Sequence, residues 1–304
     1  MKETGKIWMN GKLVPFKNAK VHVLTHALHY STSIFEGIRC YDTPEGSAIF
    51  RLPEHIDRFF NSAKMYSMKM PYSKKKISDG IVSTVNASKL KQCYIRPLAY
   101  YGYGTMGLTP TNNKVDVSIS CWEWKMGESK AGKFSGAKCK ISKWIRIDSK
   151  SQPMKAKSAA NYSNAALARM EALNAGYDEA IMLNNKGHVA EGSAENIFVV
   201  KNGRITTPPL DADILDGITR DSAIKLLKSN KIKVIEKNLR INDLLKADEI
   251  FMTGTAAEVK SVTRVNKTKI GDGKIGEVTK ELQELFMDTV MGQNKKFRSW
   301  LKFI

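Results

Sequence analysis

Four short stretches place candidate reactive or anion-binding groups among small residues. Pro153-Met154-Lys155-Ala156-Lys157-Ser158-Ala159-Ala160-Asn161-Tyr162 sets Lys157 just ahead of three small residues. A lysine that forms an imine needs a close, partly desolvated pocket in which its amine can shed a proton, and small neighbours let a flat ring approach. On local grounds alone the plainer reading is a surface lysine, the usual fate of lysines beside alanines. Val189-Ala190-Glu191-Gly192-Ser193-Ala194-Glu195-Asn196-Ile197-Phe198 sets two carboxylates, Glu191 and Glu195, in a Gly/Ser/Ala context between apolar runs. A buried carboxylate is costly without a positive partner, and a protonated ring nitrogen is one such partner. Taken alone, the stretch reads better as a turn with solvated acids.

Ile214-Leu215-Asp216-Gly217-Ile218-Thr219-Arg220-Asp221 follows Pro208-Pro209 and opens a helix. A Gly and a Thr at a helix start leave backbone N–H groups and the positive end of the dipole for an anion. Asp216 would repel that anion, so it is expected to point outward. Thr253-Gly254-Thr255-Ala256-Ala257 ends a strand in a tight small-residue turn that can offer further N–H donors.

The elements that must position these groups follow from periodicity and turn chemistry. Asn10-Gly11 between Ile7-Trp8-Met9 and Leu13-Val14-Pro15-Phe16 predicts a hairpin with a type I′ turn, and Asn202-Gly203 predicts another. Ala48 to Arg51 reads as a strand. A helix from Pro53 carries Ile56, Phe59, Phe60, Ala63 and Tyr66 at helical spacing. A polar-faced helix is expected from about Lys75 to Lys89, then strands over 93–101, 115–122 and 140–147. A helix from about Ala159 to Asn174 ends near Gly176. Strands follow at 179–183, 196–200, 233–236 and 249–253, with helices at 219–229 and 276–291. Strands and helices mix without clean alternation, which predicts an α+β architecture rather than a doubly wound parallel sheet. With 304 residues two domains are expected. The Gly- and Ser-containing segment 125–138 is read as an interdomain loop between a small N-terminal α+β domain, 1–124, and a large C-terminal one, 139–304.

Composition narrows the function classes. Hydrophobic residues make up 42% and charged residues 26%, with no apolar run long enough for a membrane helix. The start, Met1-Lys2-Glu3-Thr4-Gly5-Lys6, carries an acid and lacks an apolar segment, unlike a signal peptide, so the cytoplasm is the expected compartment. Cys40, Cys93, Cys121 and Cys139 are widely spread and read as reduced thiols, not as zinc ligands. The net charge of +19 invites a nucleic-acid reading, but the basic clusters, Lys74-Lys75-Lys76 and Lys295-Lys296-Phe297-Arg298, come with no nucleic-acid-binding motif. A lysine-rich surface suited to solubility, salt or heat is favoured, and no nucleic acid and no membrane partner are expected. His22, His26 and His29 could suggest a metal. Because His22-Val23-Leu24 reads as a strand that separates them, hydrogen bonding within or between subunits is favoured and no metal is expected.

In this order, the segments resemble the branched-chain aminotransferases of the fold type IV pyridoxal-phosphate family. The resemblance runs from about Ile7 to Phe286. It is strongest at His22-Val23-Leu24-Thr25-His26-Ala27-Leu28-His29-Tyr30, Ser33-Ile34-Phe35-Glu36-Gly37-Ile38-Arg39, Tyr94-Ile95-Arg96-Pro97-Leu98, Glu191 to Asn196, Leu215 to Asp221 and Met252 to Glu258. It implies the two-domain, D-amino acid aminotransferase-like fold and pyridoxal 5′-phosphate as cofactor. It also implies reversible transfer of the amino group of L-leucine, isoleucine or valine to 2-oxoglutarate, giving the branched 2-oxo acid and L-glutamate. Another fold type IV enzyme, a D-amino acid aminotransferase or an aminodeoxychorismate lyase, is the alternative. Tyr94-Ile95-Arg96-Pro97 and Phe35 to Arg39 favour the first reading.

The roles follow from the same resemblance. Lys157 matches the Schiff-base lysine, which also shuttles the substrate proton. Glu191 matches the carboxylate on the pyridine nitrogen, Tyr162 the partner of the ring oxygen, and Arg58 the arginine on the phosphate. Ile218, Thr219 and Thr255 match donors around that phosphate, while Thr255 and Ala256 match the turn that binds the substrate carboxylate. Tyr94, Arg39 and Arg96 match the polar residues of the substrate site, Arg96 being suited to the second carboxylate of glutamate. Phe35, Gly37, Trp124, Tyr30 and Leu108 match apolar walls, the last two contributed by a neighbouring subunit, so a homodimer or higher oligomer is implied. Many members carry glycines after the lysine. Ser158-Ala159-Ala160 here departs from that, which puts the geometry of this loop in question.

Overall fold

The computed structural model describes residues 5–110, 112–124 and 136–304. The chain forms two compact units. One comprises 1–125, 156–160 and 289–304; the other comprises 126–155 and 161–288. Two stretches assigned from sequence to the C-terminal domain thus belong to the first unit, among them the one that carries Lys157. The expected interdomain loop falls mostly on 125–135, outside the described residues.

In the first unit, β1 (Lys6–Met9) and β2 (Lys12–Pro15) form the expected hairpin, with Asn10 at φ 48° and Gly11 at φ 95°, the positive values that a type I′ turn demands. The short helix α1 (His26–Tyr30) precedes β3 (Ser33–Phe35), β4 (Ile38–Thr43) and β5 (Gly46–Phe50). The helix α2 (Leu52–Met65) has its proline in the first turn and buries Ile56, Phe59 and Ala63. In α3 (Lys74–Ser88) the N-cap Ser73 accepts from Lys76 N, and the helix buries Ile77, Ile81 and Val85. The long strands β6 (Cys93–Tyr101) and β7 (Val115–Glu123) pair over their full length. Alternate residues of these strands meet α2 and α3 in a core that includes Trp8, Ile95, Val117 and Ile119.

The second unit runs through β8 (Ala137–Ile141), α4 (Ala159–Asn174), β9 (Glu179–Leu183), β10 (Val189–Gly192), β11 (Asn196–Lys201), β12 (Arg204–Thr207), α5 (Ile218–Ser229), β13 (Val234–Glu236), α6 (Ile241–Leu245), β14 (Glu249–Gly254), β15 (Glu258–Val265), β16 (Thr268–Lys269) and most of α7 (Glu277–Val290). The chain closes with β17 (Leu301–Phe303), which returns to pair with β5 in the first unit. Among the described residues the first sheet runs β17-β5-β4-β6-β7-β1-β2, with β3 also on β6, and all its pairs are antiparallel. The second runs β10-β9-β8-β15-β14-β11-β12-β13 and mixes parallel with antiparallel pairs. This is the α+β architecture expected from sequence.

Two local expectations are corrected. His22-Val23-Leu24 is not a strand. Leu24 N donates to His22 Nδ1, which folds the segment into a turn ahead of α1. The strand expected over 140–147 stops at Ile141. There the Ser142 hydroxyl donates to Glu171 and accepts from Trp144 N at 3.0 Å, turning the chain away. All four cysteines are buried and none is in a disulfide.

Candidate active site

Lys157 is held by β3 and α2. Its N–H donates to Ser62 Oγ at 3.0 Å, its carbonyl accepts from Phe35 N at 2.9 Å, and Ser158 bridges to Ile34. Tyr66 and Ser158 share a hydroxyl hydrogen bond of 2.7 Å. None of Ser158, Ala159 and Ala160 has a positive φ, so the departure from glycine carries no backbone strain. The Lys157 ammonium lies 5.0 Å from the centre of the Phe35 ring. Burial, reinforced by the Arg58 and Arg96 charges and only partly offset by Glu36 and Tyr94, pushes its pKa down to about 8.

Beneath it is a buried ion cluster that sequence reasoning did not find. Glu36 follows β3 and is fully buried. It accepts from Arg58 Nε at 2.7 Å and Arg58 Nη2 at 2.9 Å, and from His55 Nδ1 at 2.8 Å. Burial alone would raise the Glu36 pKa, but the Arg58 charge and the hydrogen bonds from Arg58 and His55 hold it far below the usual carboxylate range. Burial also holds His55 below its ordinary value, against the pull of Glu36. The available signal was an acid between apolar β3 and Gly37, a place that demands a cationic partner.

The β4-β6-β7 face continues the site. Arg39 pairs across strands with Tyr94, and Tyr94 with Trp122, so the period of two brings Arg39, Tyr94 and Arg96 to one face. The Arg96 guanidinium sits 4.7 Å from the Phe35 ring centre, 5.5 Å from Tyr94 and 5.7 Å from Trp122, and its buried Nε has no hydrogen-bond partner. Arg39 is buried, and its Nη2 donates to Trp124 O at 3.4 Å. Trp124 lies 5.6 Å from the Tyr94 ring. Gly37 has no room for a side chain, since a Cβ would fall 1.9 Å from Tyr94 Oη. Tyr30 ends α1, and Leu108 lies in the loop between β6 and β7. Both are exposed, and Tyr30 Oη donates to Met106 O, tying α1 to the loop that carries Leu108.

In the second unit Glu191, on β10, is buried rather than solvated. Its Oε1 pairs with the buried Arg146 at 2.6 Å; its Oε2 accepts from Asn196 Nδ2 at 3.0 Å and Leu215 N at 3.2 Å. Asn196 also donates to Leu215 O, linking β11 to the entry of α5. That helix starts at Gly217 with no side-chain cap. Ile218 and Thr219 form its first turn, and Asp216 is exposed as expected. Thr255 and Ala256 lie in the turn between β14 and β15, and Tyr162 in the first turn of α4. Arg146 and Asn196 were not singled out from sequence. Taken one unit at a time, the residue types suit a phosphorylated aldehyde on an aromatic ring: the first unit offers a buried amine easily deprotonated, and the second a buried carboxylate and a 12-residue helix with no side-chain cap. Among the described residues no His/Cys/Asp/Glu group is arranged to hold a metal. His26 instead bonds Thr32 Oγ1 and Gly107 O.

Comparison with known proteins places these features in context. The model of the family Amino-transferase class IV matches residues 33–265. The branched-chain-amino-acid aminotransferase of Pseudomonas aeruginosa is 43% identical over 97% of this chain and 96% of its own length. That of Escherichia coli K12 is 39% identical over 99% and 97%. Among solved structures, the T.th. branched-chain amino acid aminotransferase with pyridoxamine 5′-phosphate superposes with a TM-score of 0.96 at 43% identity, covering 100% of this chain and 99% of that one. The same enzyme has been solved with N-(5′-phosphopyridoxyl)-L-glutamate, again with a TM-score of 0.96 at 43% identity and the same coverage.

Proposed function

Because the chain belongs to the class IV aminotransferase family, we propose that it exchanges the amino group of L-leucine, isoleucine or valine with 2-oxoglutarate, yielding the branched 2-oxo acid and L-glutamate. The observation that carries this reading is Lys157: a desolvated amine brought to about 8 against an aromatic ring, in a chain similar over nearly its whole length to branched-chain aminotransferases.

Pyridoxal 5′-phosphate, when bound, supplies a ring that accepts the electron pair left at the substrate Cα. Lys157 would hold the aldehyde of the resting cofactor and, once the substrate amine has taken its place, its freed Nζ would take the Cα proton of the amino acid in one half-reaction and return a proton to Cα of the nascent glutamate in the other. Glu191, paired with Arg146, would meet the ring nitrogen, and Tyr162 would bind the ring oxygen. Arg58, Ile218, Thr219 and Thr255 hold the phosphate. The N–H groups of Thr255 and Ala256 take the α-carboxylate. Phe35, Gly37 and Trp124 make an apolar box, with Tyr94, Arg39 and Arg96 at its polar side. Arg96 Nε, buried and unpartnered, suits the distal carboxylate of glutamate.

Among the described residues no helix is long and apolar enough to cross a membrane, and we place the reaction in the cytoplasm. The exposed Val21, Val23, Leu24, Leu28, Tyr30 and Leu108 support a subunit interface, hence at least a homodimer in which Tyr30 and Leu108 serve a neighbour's site. The test is glutamate release from L-leucine and 2-oxoglutarate, run beside D-alanine and with Lys157→Ala. Turnover of L-leucine that the substitution abolishes is expected. Turnover by the variant, or a preference for D-alanine, would refute the assignment.

A further inference from the structure

Glu36 has no step in the amino transfer, yet it is fully buried and ionised. Its two oxygens bind the Nε and Nη2 edge of Arg58, and Oε2 also accepts from His55 Nδ1 and, at 3.3 Å, from Gly37 N. An ionised carboxylate is acceptor-only, so His55 must present Nδ1–H to it. We propose that Glu36, braced by His55, is the positioning residue for Arg58: it clamps one edge of the guanidinium so that the remainder is presented to the cofactor phosphate in a single orientation. This rests on the reading of Arg58 as the phosphate-binding group.

Three features favour positioning over mere packing. First, a bidentate fork fixes the plane of a guanidinium, which a single hydrogen bond does not. Second, burying a carboxylate that serves only to fill space is unfavourable compared with an apolar side chain of similar volume, so the retained charge calls for a use. Third, the clamp is itself braced: His55 is buried on α2 one turn before Arg58 and holds the carboxylate from the same helix.

The experiment compares dissociation constants for pyridoxal 5′-phosphate and for pyridoxal, which lacks the phosphate, on apoprotein. The wild type should bind the phosphorylated form far more tightly. Glu36→Gln, which offers a single acceptor oxygen, is expected to weaken the phosphorylated ligand about tenfold or more and pyridoxal by less than about threefold. In an Arg58→Lys background the same substitution is expected to add no further phosphate-selective loss. Should Glu36→Gln fail to fold, His55→Asn reads the same ratio, with an expected fall of about two- to fivefold. An equal loss for both ligands, or an unchanged ratio in every folded variant, overturns the proposal. A wild-type protein that forms no adduct with pyridoxal phosphate at Lys157 would instead sink the functional reading, which separates the two failures.

Discussion

At the scale of single residues the chemistry turns on how far the protein shifts ordinary side chains. A lysine of unperturbed pKa is neutral in roughly three molecules per ten thousand at pH 7; one at about 8 is neutral in about one in ten. Burial, Arg58 and Arg96 push Lys157 down while Glu36 and Tyr94 pull it up, so the value reflects a balance rather than burial alone. Amine-selective acylation of the apoprotein, followed residue by residue by mass spectrometry, should show Lys157 titrating with a midpoint near pH 8. A midpoint near that of the surface lysines would contradict this environment. The roles proposed for Lys157, Glu191 and Arg58 rest on the joint order of the motifs, since taken alone Lys157 reads as a surface lysine and Glu191 as a solvated acid in a turn. Their partners Glu36, His55, Arg146 and Asn196 were not legible. They lie 19 or more positions from the group they serve, or, like Asn196 five positions from Glu191, give no sign from spacing of which way the side chain turns.

At the scale of elements, chain turns convert local pattern into site geometry. The period of two on β6 and the cross-strand register with β4 and β7 suffice to gather Arg39, Tyr94 and Arg96. Strand and helix positions followed from sequence wherever periodicity ran on, as in β6 and α2. They failed where a side chain captured the backbone, as Ser142 does at the end of β8 and His22 does ahead of α1. The entry of α5 leaves as little room as the β3–β4 junction at Gly37, because a Cβ at position 217 would lie 1.9 Å from Asn196 Oδ1. Gly217→Ala is therefore expected to displace Asn196 from Glu191 and Leu215 and to destabilise the protein by about 1–3 kcal/mol, with weaker cofactor binding. Denaturant unfolding and cofactor titration would check both effects, and a variant with unchanged values would contradict the coupling.

At the scale of the whole molecule, the first unit depends on the end of the chain. β17 adds an edge strand to β5, Arg51 N donates to Trp300 O at 2.6 Å, and the Arg51 guanidinium lies 4.7 Å from the Trp300 ring centre. Removing residues 295–304 strips this edge and leaves the buried Arg51 with fewer partners. Thermal unfolding should then begin roughly 5 °C or more lower, with hydrogen exchange rising first in β5. An unaltered profile would show the terminal strand to be dispensable. The two-domain expectation from length did not reveal this dependence, because composition carries no information about which distant segments pair.

The first unit is stitched from three separate stretches, the second of them only five residues long and bearing the reactive lysine. A ribosome therefore cannot deliver a finished first unit early. The opening 125 residues are made before residues 156–160 and 289–304, which complete the unit. The Lys157 amine and the charged cluster of Glu36, His55 and Arg58 beside it can therefore meet only once the chain has grown past its midpoint.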